Sequence, residues 1–294
     1  QERKLVIKMM IWGLFFLVLV NGYNKGVESA PSECQPLSEN LDPMDLMFLK
    51  QDMMSTFRDV SVTDLNNWEA PLTSGTSGSY LSELVTASNP SQDKIDRFIK
   101  ALTQHNSMNF LFEQLKSRYF ASAMSQVAFE DFLKTLWFSK HDIAKYLSSK
   151  QEKFARRLTP SSLTLFDFVF KGIPPTKYAD CSMFTAPLHY VGMPKLLEVA
   201  SVNVHMIKNN HAGTVKYTVK WDSCSVDGYV VLHMDPLDLM AMLTITYLEN
   251  SEKTLIQVKG DIIGVVMKRV CHQRKSYPAR TFLIPVKAAL DQYV

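Results

Sequence analysis

The spacing of apolar residues divides the chain into a first part with a helical period and a second part with a strand period. Before about residue 160, apolar side chains recur every three or four positions, which is typical of amphipathic helices. The segments with this spacing are 43–60, 92–104, 107–122 and 126–138. After Thr159-Pro160-Ser161 the period falls to two, which favours β-strands. The segments predicted as strands are 165–170, 198–207, 215–221, 229–234, 255–258, 262–270 and 281–286. The pattern predicts an α+β protein with an N-terminal helical array followed by a mostly antiparallel sheet.

Local signals fix some element ends. Asp42-Pro43 opens the first helix with an N-cap residue and a first-turn proline, and Asp235-Pro236-Leu237-Asp238 does the same for a helix within the second part. Residues 70–79 are rich in Ser, Thr and Gly and are predicted to form a loop. Residues 209–213 are predicted to form a hairpin turn. A basic amphipathic stretch covers His141 to Arg157.

The N-terminus has the pattern of a secretory signal peptide. A twelve-residue apolar run, Met9 to Val20, follows Arg3, Lys4 and Lys8. The run is shorter than the roughly 20 apolar residues that a membrane-spanning helix needs. We therefore predict a signal peptide at 1–22, an exposed lead-in at 23–42 and a domain at 43–294. The mature protein is expected to be secreted and not membrane-bound.

Net charge and cysteine content further limit the possible classes of protein. The formal charge is +3, and +2 of it lies within the signal segment, so net charge alone does not indicate binding of nucleic acid. After the signal the chain has four cysteines in an oxidising compartment, which predicts one or two disulfides. They are Cys34, Cys181, Cys224 and Cys271. Four cysteines allow three pairings, and the sequence does not choose among them. Nor does it indicate an oligomeric state.

The standard catalytic motifs are absent: there is no GxSxG, HExxH, phosphate loop or dinucleotide fingerprint. The histidines are therefore weighed one by one. His105 and His141 are expected at helix ends, where solvated imidazoles are common, and His211 in a turn. His205 and His233 are expected inside strands, as hydrogen-bonded sheet residues.

One segment is a candidate anion-binding site. Residues 268–275 contain four cations and a histidine but no acidic residue. The residues in question are Lys268, Arg269, His272, Arg274 and Lys275. Such a run could contact phosphates, or it could be the solvated tip of a hairpin.

The order of several segments resembles the EndoU family, endoribonucleases that cut RNA at uridylates. These segments are Ala128 to Phe138, Leu165 to Gly172, Trp221 with Gly228 to Pro236, and Thr281 to Pro285. In the family the second segment reads approximately Phe-Glu-His-Val-Phe-x-Gly-Glu. The resemblance covers about residues 43–294, split into a helical half at 43–160 and a sheet-rich half at 161–294. It rests on order and hydrophobic pattern more than on identical residues.

The resemblance implies a site with two histidines as base and acid and a lysine that stabilises the phosphorane, giving a 2′,3′-cyclic phosphate. In this chain Phe168 stands where the first histidine is expected, and Ser225 where the lysine is expected. His189 is the candidate for the second histidine. Thr281 matches the closing motif, in which Leu283 lies nearest the tyrosine position. Most of the catalytic residues are therefore missing, as in a diverged, catalytically degenerate member.

Three hypotheses follow. The first is a secreted EndoU-like pseudoenzyme that acts as a binding module, with single-stranded RNA as the expected partner and no certain cofactor. The second is an active uridylate-directed endonuclease with a relocated acid/base pair that includes His189, for which manganese would be the expected metal. The third is a disulfide-stapled secreted structural protein without an RNA role.

Overall fold

A computed structural model describes the fold over much of the chain. The described residues are 43–57, 59, 75–87, 89–118, 124–140, 164–172, 201–205, 214–221, 224–249, 253–258, 261–272 and 275–285, in parts of the strands by the backbone alone. The predicted signal segment, the lead-in, the basic stretch 141–157, the turn 209–213 and three histidines (His141, His189 and His211) lie outside these residues.

The first part of the chain is helical, as the 3.6-residue period predicted. Its helices are α1 (Pro43–Ser55), α2 (Gly75–Thr86), α3 (Gln92–Leu102), α4 (Asn106–Arg118) and α5 (Gln126–Phe138). Serine N-caps begin two of them: Ser91 accepts from the Lys94 amide at 3.4 Å, and Ser125 accepts from the Ala128 amide at 3.1 Å. These bonds satisfy amides that have no partner within the helix.

In the described residues, the second part of the chain forms two antiparallel three-stranded sheets and one more helix. The first sheet has the order β1 (Ser201–His205), β2 (Thr214–Trp221), β3 (Cys224–Val231). The second has the order β4 (Lys253–Val258), β5 (Asp261–His272), β6 (Lys275–Pro285). The α+β class, helices first and antiparallel strands after, is confirmed.

Helix α6 (Pro236–Leu248) follows β3 and is buried along its whole length. It is apolar on every side, so it needs cover all round. Helix α4, helix α1 and strand β5 pack against it. The Trp137 indole of α5 donates to Thr244 Oγ1 at 3.1 Å, and Thr244 in turn donates to the Met240 carbonyl at 2.8 Å. Helix α6 therefore joins the helical array to the second sheet through one core.

The prediction of a strand at 165–170 is wrong, because this segment forms a helical turn that ends as a π-helix (Asp167–Lys171). Thr164 and Asp167 exchange hydrogen bonds, each side chain accepting from the other's amide at 3.1 Å. That is a capping-box arrangement, which starts a helix. The Phe166 ring packs 5.0 Å from the Phe138 and Phe170 rings. Because the segment is buried nearly all round, its alternating aromatics gave a false strand period.

Two smaller predictions need correction. The loop expected at 70–79 gives way to α2 from Gly75 onward, despite the Gly and Ser content. Strand β3 ends at Val231 rather than at Met234, so His233 lies in the turn before α6 and not in a strand. Within the described residues no helix is both long and apolar enough to cross a bilayer.

Candidate functional site

A cluster of polar side chains lies where the N-termini of α4 and α6 meet. His105 precedes α4, and its carbonyl accepts from the Asn109 amide at 2.8 Å. Ser107 lies in the first turn of α4. Asp235 is the N-cap of α6, and Asp238 is the third residue of that helix. The capping signature in the sequence correctly predicted the local structure of the two aspartates.

The aspartates form a reciprocal capping box. Asp235 Oδ1 accepts from the Leu237 amide at 2.7 Å and from the Asp238 amide at 2.8 Å. Asp238 Oδ2 accepts from the Asp235 amide at 3.2 Å. The box leaves one oxygen of each carboxylate to face α4, and both helix N-termini favour negative charge there.

His105 lies between those two remaining oxygens. Its Nε2 is 3.1 Å from Asp235 Oδ2, and its Nδ1 is 3.8 Å from Asp238 Oδ1. The Ser107 hydroxyl donates to Asp238 Oδ1. The imidazole is 22% exposed, so the expectation of a solvated histidine at a helix end is wrong. Its partners lie more than a hundred positions away in the sequence, on a helix that packs against α4.

The protonation states follow from this geometry. Burial opposes the charge on His105, but the hydrogen bond with Asp235 and the negative charges of both aspartates raise its pKa overall. Burial also disfavours the charge on Asp235, but the His105 contacts and the capping amides lower the pKa of that carboxyl. Burial and the nearby Asp235 charge raise the pKa of Asp238. Both shifts favour an ion pair between the His105 imidazolium and the Asp235 carboxylate.

The same three side chains offer ligand atoms within 4.8 Å of one another. Metal coordination would need one ring nitrogen and both carboxylates to face a common point. Here the two ring nitrogens face different carboxylates, and Asp238 Oδ1 already accepts from Ser107. The arrangement therefore fits a doubly protonated imidazole better than a metal ion.

A second polar cluster lies at the other end of α6. The Lys50 ammonium of α1 pairs with the Glu249 carboxylate and donates to Thr254 Oγ1 of β4 at 2.9 Å. Lys50 is 3% exposed. Burial lowers the pKa of Lys50, while Glu249 opposes that shift. This cluster ties α1 to α6 and β4, and its lysine is too enclosed to reach a substrate.

The structure brings together the cationic positions predicted between 268 and 275. Lys268, Arg269 and His272 lie on β5, and Lys275 begins β6, with His272 opposite Lys275 in the register. Arg274 lies in the connection, outside the described residues. A register shift separates Lys268 from Arg269, and Arg280 lies opposite Lys268. The sequence reading missed Arg280, because only the strand pairing brings it beside the run.

Of the two positions expected to be catalytic, Thr281 lies within the described residues and His189 does not. Thr281 lies on β6 opposite Met267, is 5% exposed, and its hydroxyl has no hydrogen-bond partner.

The structure also describes Phe168 and Ser225, the positions where the EndoU family has a catalytic histidine and lysine. Phe168 is 5% exposed and lies in the π-helical turn. Beside it, Lys171 pairs with Asp167 at 3.0 Å and donates to the Ala87 carbonyl at 2.8 Å. Ser225 is exposed on β3, directly opposite Lys220 of β2. Cys224 is buried and disulfide-bonded, and its partner lies outside the described side chains.

The helices and two antiparallel sheets of the described residues resemble the fold of a solved endoribonuclease structure. The solved structure of XendoU, described as a splicing independent snoRNA processing endoribonuclease, matches with a TM-score of 0.52 and 13% sequence identity. The match covers 73% of this chain and 78% of that one. No family model matches the sequence, and no curated protein matches it. At this identity the likeness shows the fold, which is EndoU-like.

Proposed function

We propose that this protein is a secreted EndoU-like module that binds single-stranded RNA and does not cleave it. The observation that carries the proposal is the pairing of cationic positions on β5 and β6, within a fold similar to that of XendoU, an endoribonuclease. A fold alone does not carry function. RNA binding is assigned to cationic residues of β5 and β6, and the lack of cleavage to Phe168.

The binding surface in this proposal is the cationic hairpin, defined as the paired part of β5 and β6 that carries Lys268, Arg269, Lys275 and Arg280, with Arg274 in its connection. Pairing concentrates cations from two separate stretches of sequence on one ribbon. Lysine and arginine neutralise RNA phosphates and release counterions. Arg280 adds one more positive charge than the local run contains.

The lack of cleavage follows from Phe168. A benzyl side chain carries no proton to exchange, so it cannot act as base or acid toward a 2′-hydroxyl. Phe168 is also buried in a closed turn, with the neighbouring Asp167 and Lys171 paired to each other. Neither of these two charges is left free to replace a missing catalytic group there.

The binding experiment uses fluorescence anisotropy of labelled single-stranded RNA with the full chain at increasing salt. We expect affinity to fall steeply between low and physiological salt. Replacing Lys268, Arg269, Arg274 and Lys275 with Gln should lower the slope of log affinity against log salt by about 3, since each single-strand phosphate contact contributes about 0.7.

The matched control removes the same charge from the helical array. It replaces Arg97, Lys100, Lys116 and Lys140, all exposed, with Gln. This variant should keep most of the affinity and the slope. Equal losses in both variants would show that only net charge matters. Failure to bind RNA at any salt would remove the RNA role and favour a structural protein.

A second candidate function is an active uridylate-directed endonuclease, and one observation favours it. Lys220 is the register partner of Ser225, the position where the family lysine is expected, so the neighbouring strand has a lysine at the paired position. The test is incubation of the full chain with uridine-containing RNA and manganese. The proposal expects intact RNA. Cleavage to a 2′,3′-cyclic phosphate that His189→Ala or Lys220→Ala abolishes would establish the second candidate instead.

The secretion part of the proposal is tested separately. Mass spectrometry of protein from the medium of expressing cells should show a chain that begins near Tyr23. Detection of material that retains Met9 to Val20 would contradict signal cleavage. Alkylation without reductant should leave Cys224 unlabelled, since it is disulfide-bonded.

A further inference from the structure

The cluster between α4 and α6 contains one group that titrates near neutral pH, and the proposed RNA function does not use it. His105 faces Asp235 on one side and Asp238 on the other. These two α6 carboxylates are the charges that act on the ring, and α4 contributes the uncharged Ser107 hydroxyl. The cluster lies at the contact between the two helices.

The geometry distinguishes the charged and neutral forms of the ring. A neutral imidazole has one N–H donor and one bare nitrogen that can only accept. With carboxylates on both sides, the bare nitrogen would face an oxygen that repels it. The imidazolium donates from Nε2 to Asp235 and places its charge beside Asp238, whose Oδ1 lies 3.8 Å from Nδ1, beyond hydrogen-bond distance. The pairing between the helices is therefore stronger when His105 holds two protons, because the ring charge then attracts both carboxylates.

We propose that His105, held between Asp235 and Asp238, is a pH-sensitive latch that fastens the start of α4 to the start of α6 and weakens as the pH rises above neutral. The latch acts where the helical array meets the turn that leads from β3 into α6. The proposal stands independently of RNA binding. It also does not depend on which residues, if any, are catalytic.

The direction of the pH effect follows from linkage. The pKa of His105 is raised in the folded protein. A group with a raised pKa contributes stability that is fully present below its unfolded value, near 6.5, and is lost as the pH rises through the folded value. The two aspartates titrate well below this range in the unfolded chain. The pKa of Asp238 is also raised in the folded protein, so the comparison of variants, rather than the pH dependence alone, assigns the change to His105.

The experiment measures thermal unfolding of the full chain from pH 5.5 to 8.5 for four proteins. They are the unmodified chain, His105→Gln, Asp235→Asn and the double variant. At pH 5.5 the unmodified chain should melt at least about 2 °C above His105→Gln, and the gap should close by pH 8.5. The non-additive part of the cycle, which measures the His105–Asp235 coupling, should shrink over the same range.

A direct titration keeps the test valid even if a variant folds poorly. The NMR shift of the His105 ring in the unmodified chain should report a pKa above 6.5, and Asp238→Asn should lower it. A pKa at or below 6.5, or a pH-independent coupling, would overturn the latch. So would stabilisation by added Zn²⁺ at pH 8 that His105→Gln abolishes, because the cluster would then be a metal site.

Discussion

At the N-terminal end of α6, two of its carboxylates contact an imidazole, that of His105. At the C-terminal end, Glu249 pairs with a lysine of α1, Lys50. The first contact is about one-fifth exposed at His105, and the second is almost completely enclosed at Lys50. A histidine loses its charge within the physiological pH range, whereas an ordinary lysine does so only at about pH 10, and Glu249 opposes the lowering of the Lys50 pKa by burial. One helix thus has an adjustable attachment at one end and a fixed one at the other.

The largest expected effect comes from breaking the fixed end. Lys50→Ala should lower the free energy of unfolding by about 3–5 kcal/mol, because it leaves the Glu249 carboxylate buried without its cation. Urea unfolding measures this. The double variant Lys50→Met, Glu249→Leu removes both charges and should recover most of the loss. A loss below about 1 kcal/mol in the single variant would mean that Glu249 reaches water when the lysine is gone.

An intermediate effect is expected at the adjustable end. Asp235→Ala removes the N-cap of α6 and the partner of His105, and should cost about 1–3 kcal/mol at pH 6. The loss should be smaller at pH 8.5, where the imidazole carries less charge and the missing cap accounts for more of the effect. Unfolding curves at the two pH values give the difference. An equal loss at both would assign the whole effect to the cap.

The smallest effect is expected from an exposed pair, which shows what burial adds at both ends of α6. Lys134 of α5 lies 3.1 Å from Asp96 of α3 and 3.3 Å from Asp131, both of them well exposed. Lys134→Gln should cost less than about 1 kcal/mol, and added salt should reduce even that. A cost comparable to that of Lys50→Ala would contradict the idea that burial strengthens the ion pairs of α6. The distance between the charged atoms, rather than burial, would then determine the contribution of an ion pair to stability.

The sequence predicted those features that depend on neighbours along the chain. Helix α5 was placed at its observed bounds, and the Asp235-Pro236-x-Asp238 signature correctly marked the start of α6. The antiparallel pairing of β1 with β2 was predicted as well. In each case capping chemistry or side-chain period acts over a few residues.

The features that the sequence missed depend on residues brought together from a distance. His105 meets Asp235 across 130 positions, and Arg280 meets Lys268 only through strand pairing. The helical turn at 167–171 was missed for another reason: Thr164 and Asp167 form a recognisable capping pattern, but the buried aromatics after it also fit a strand. Burial on all sides removes the periodic signal on which such predictions depend.

The burial of α6 on every side has a consequence during synthesis. Helices α1 to α5 leave the ribosome well before Pro236–Leu248 has been made, since chains grow at about 5–20 residues per second. Until α6 arrives, the apolar faces of α1 and α4 that will contact it remain uncovered. The nascent helical array is therefore an aggregation-prone intermediate for several seconds. Chaperones that bind apolar surface would act on it in that interval.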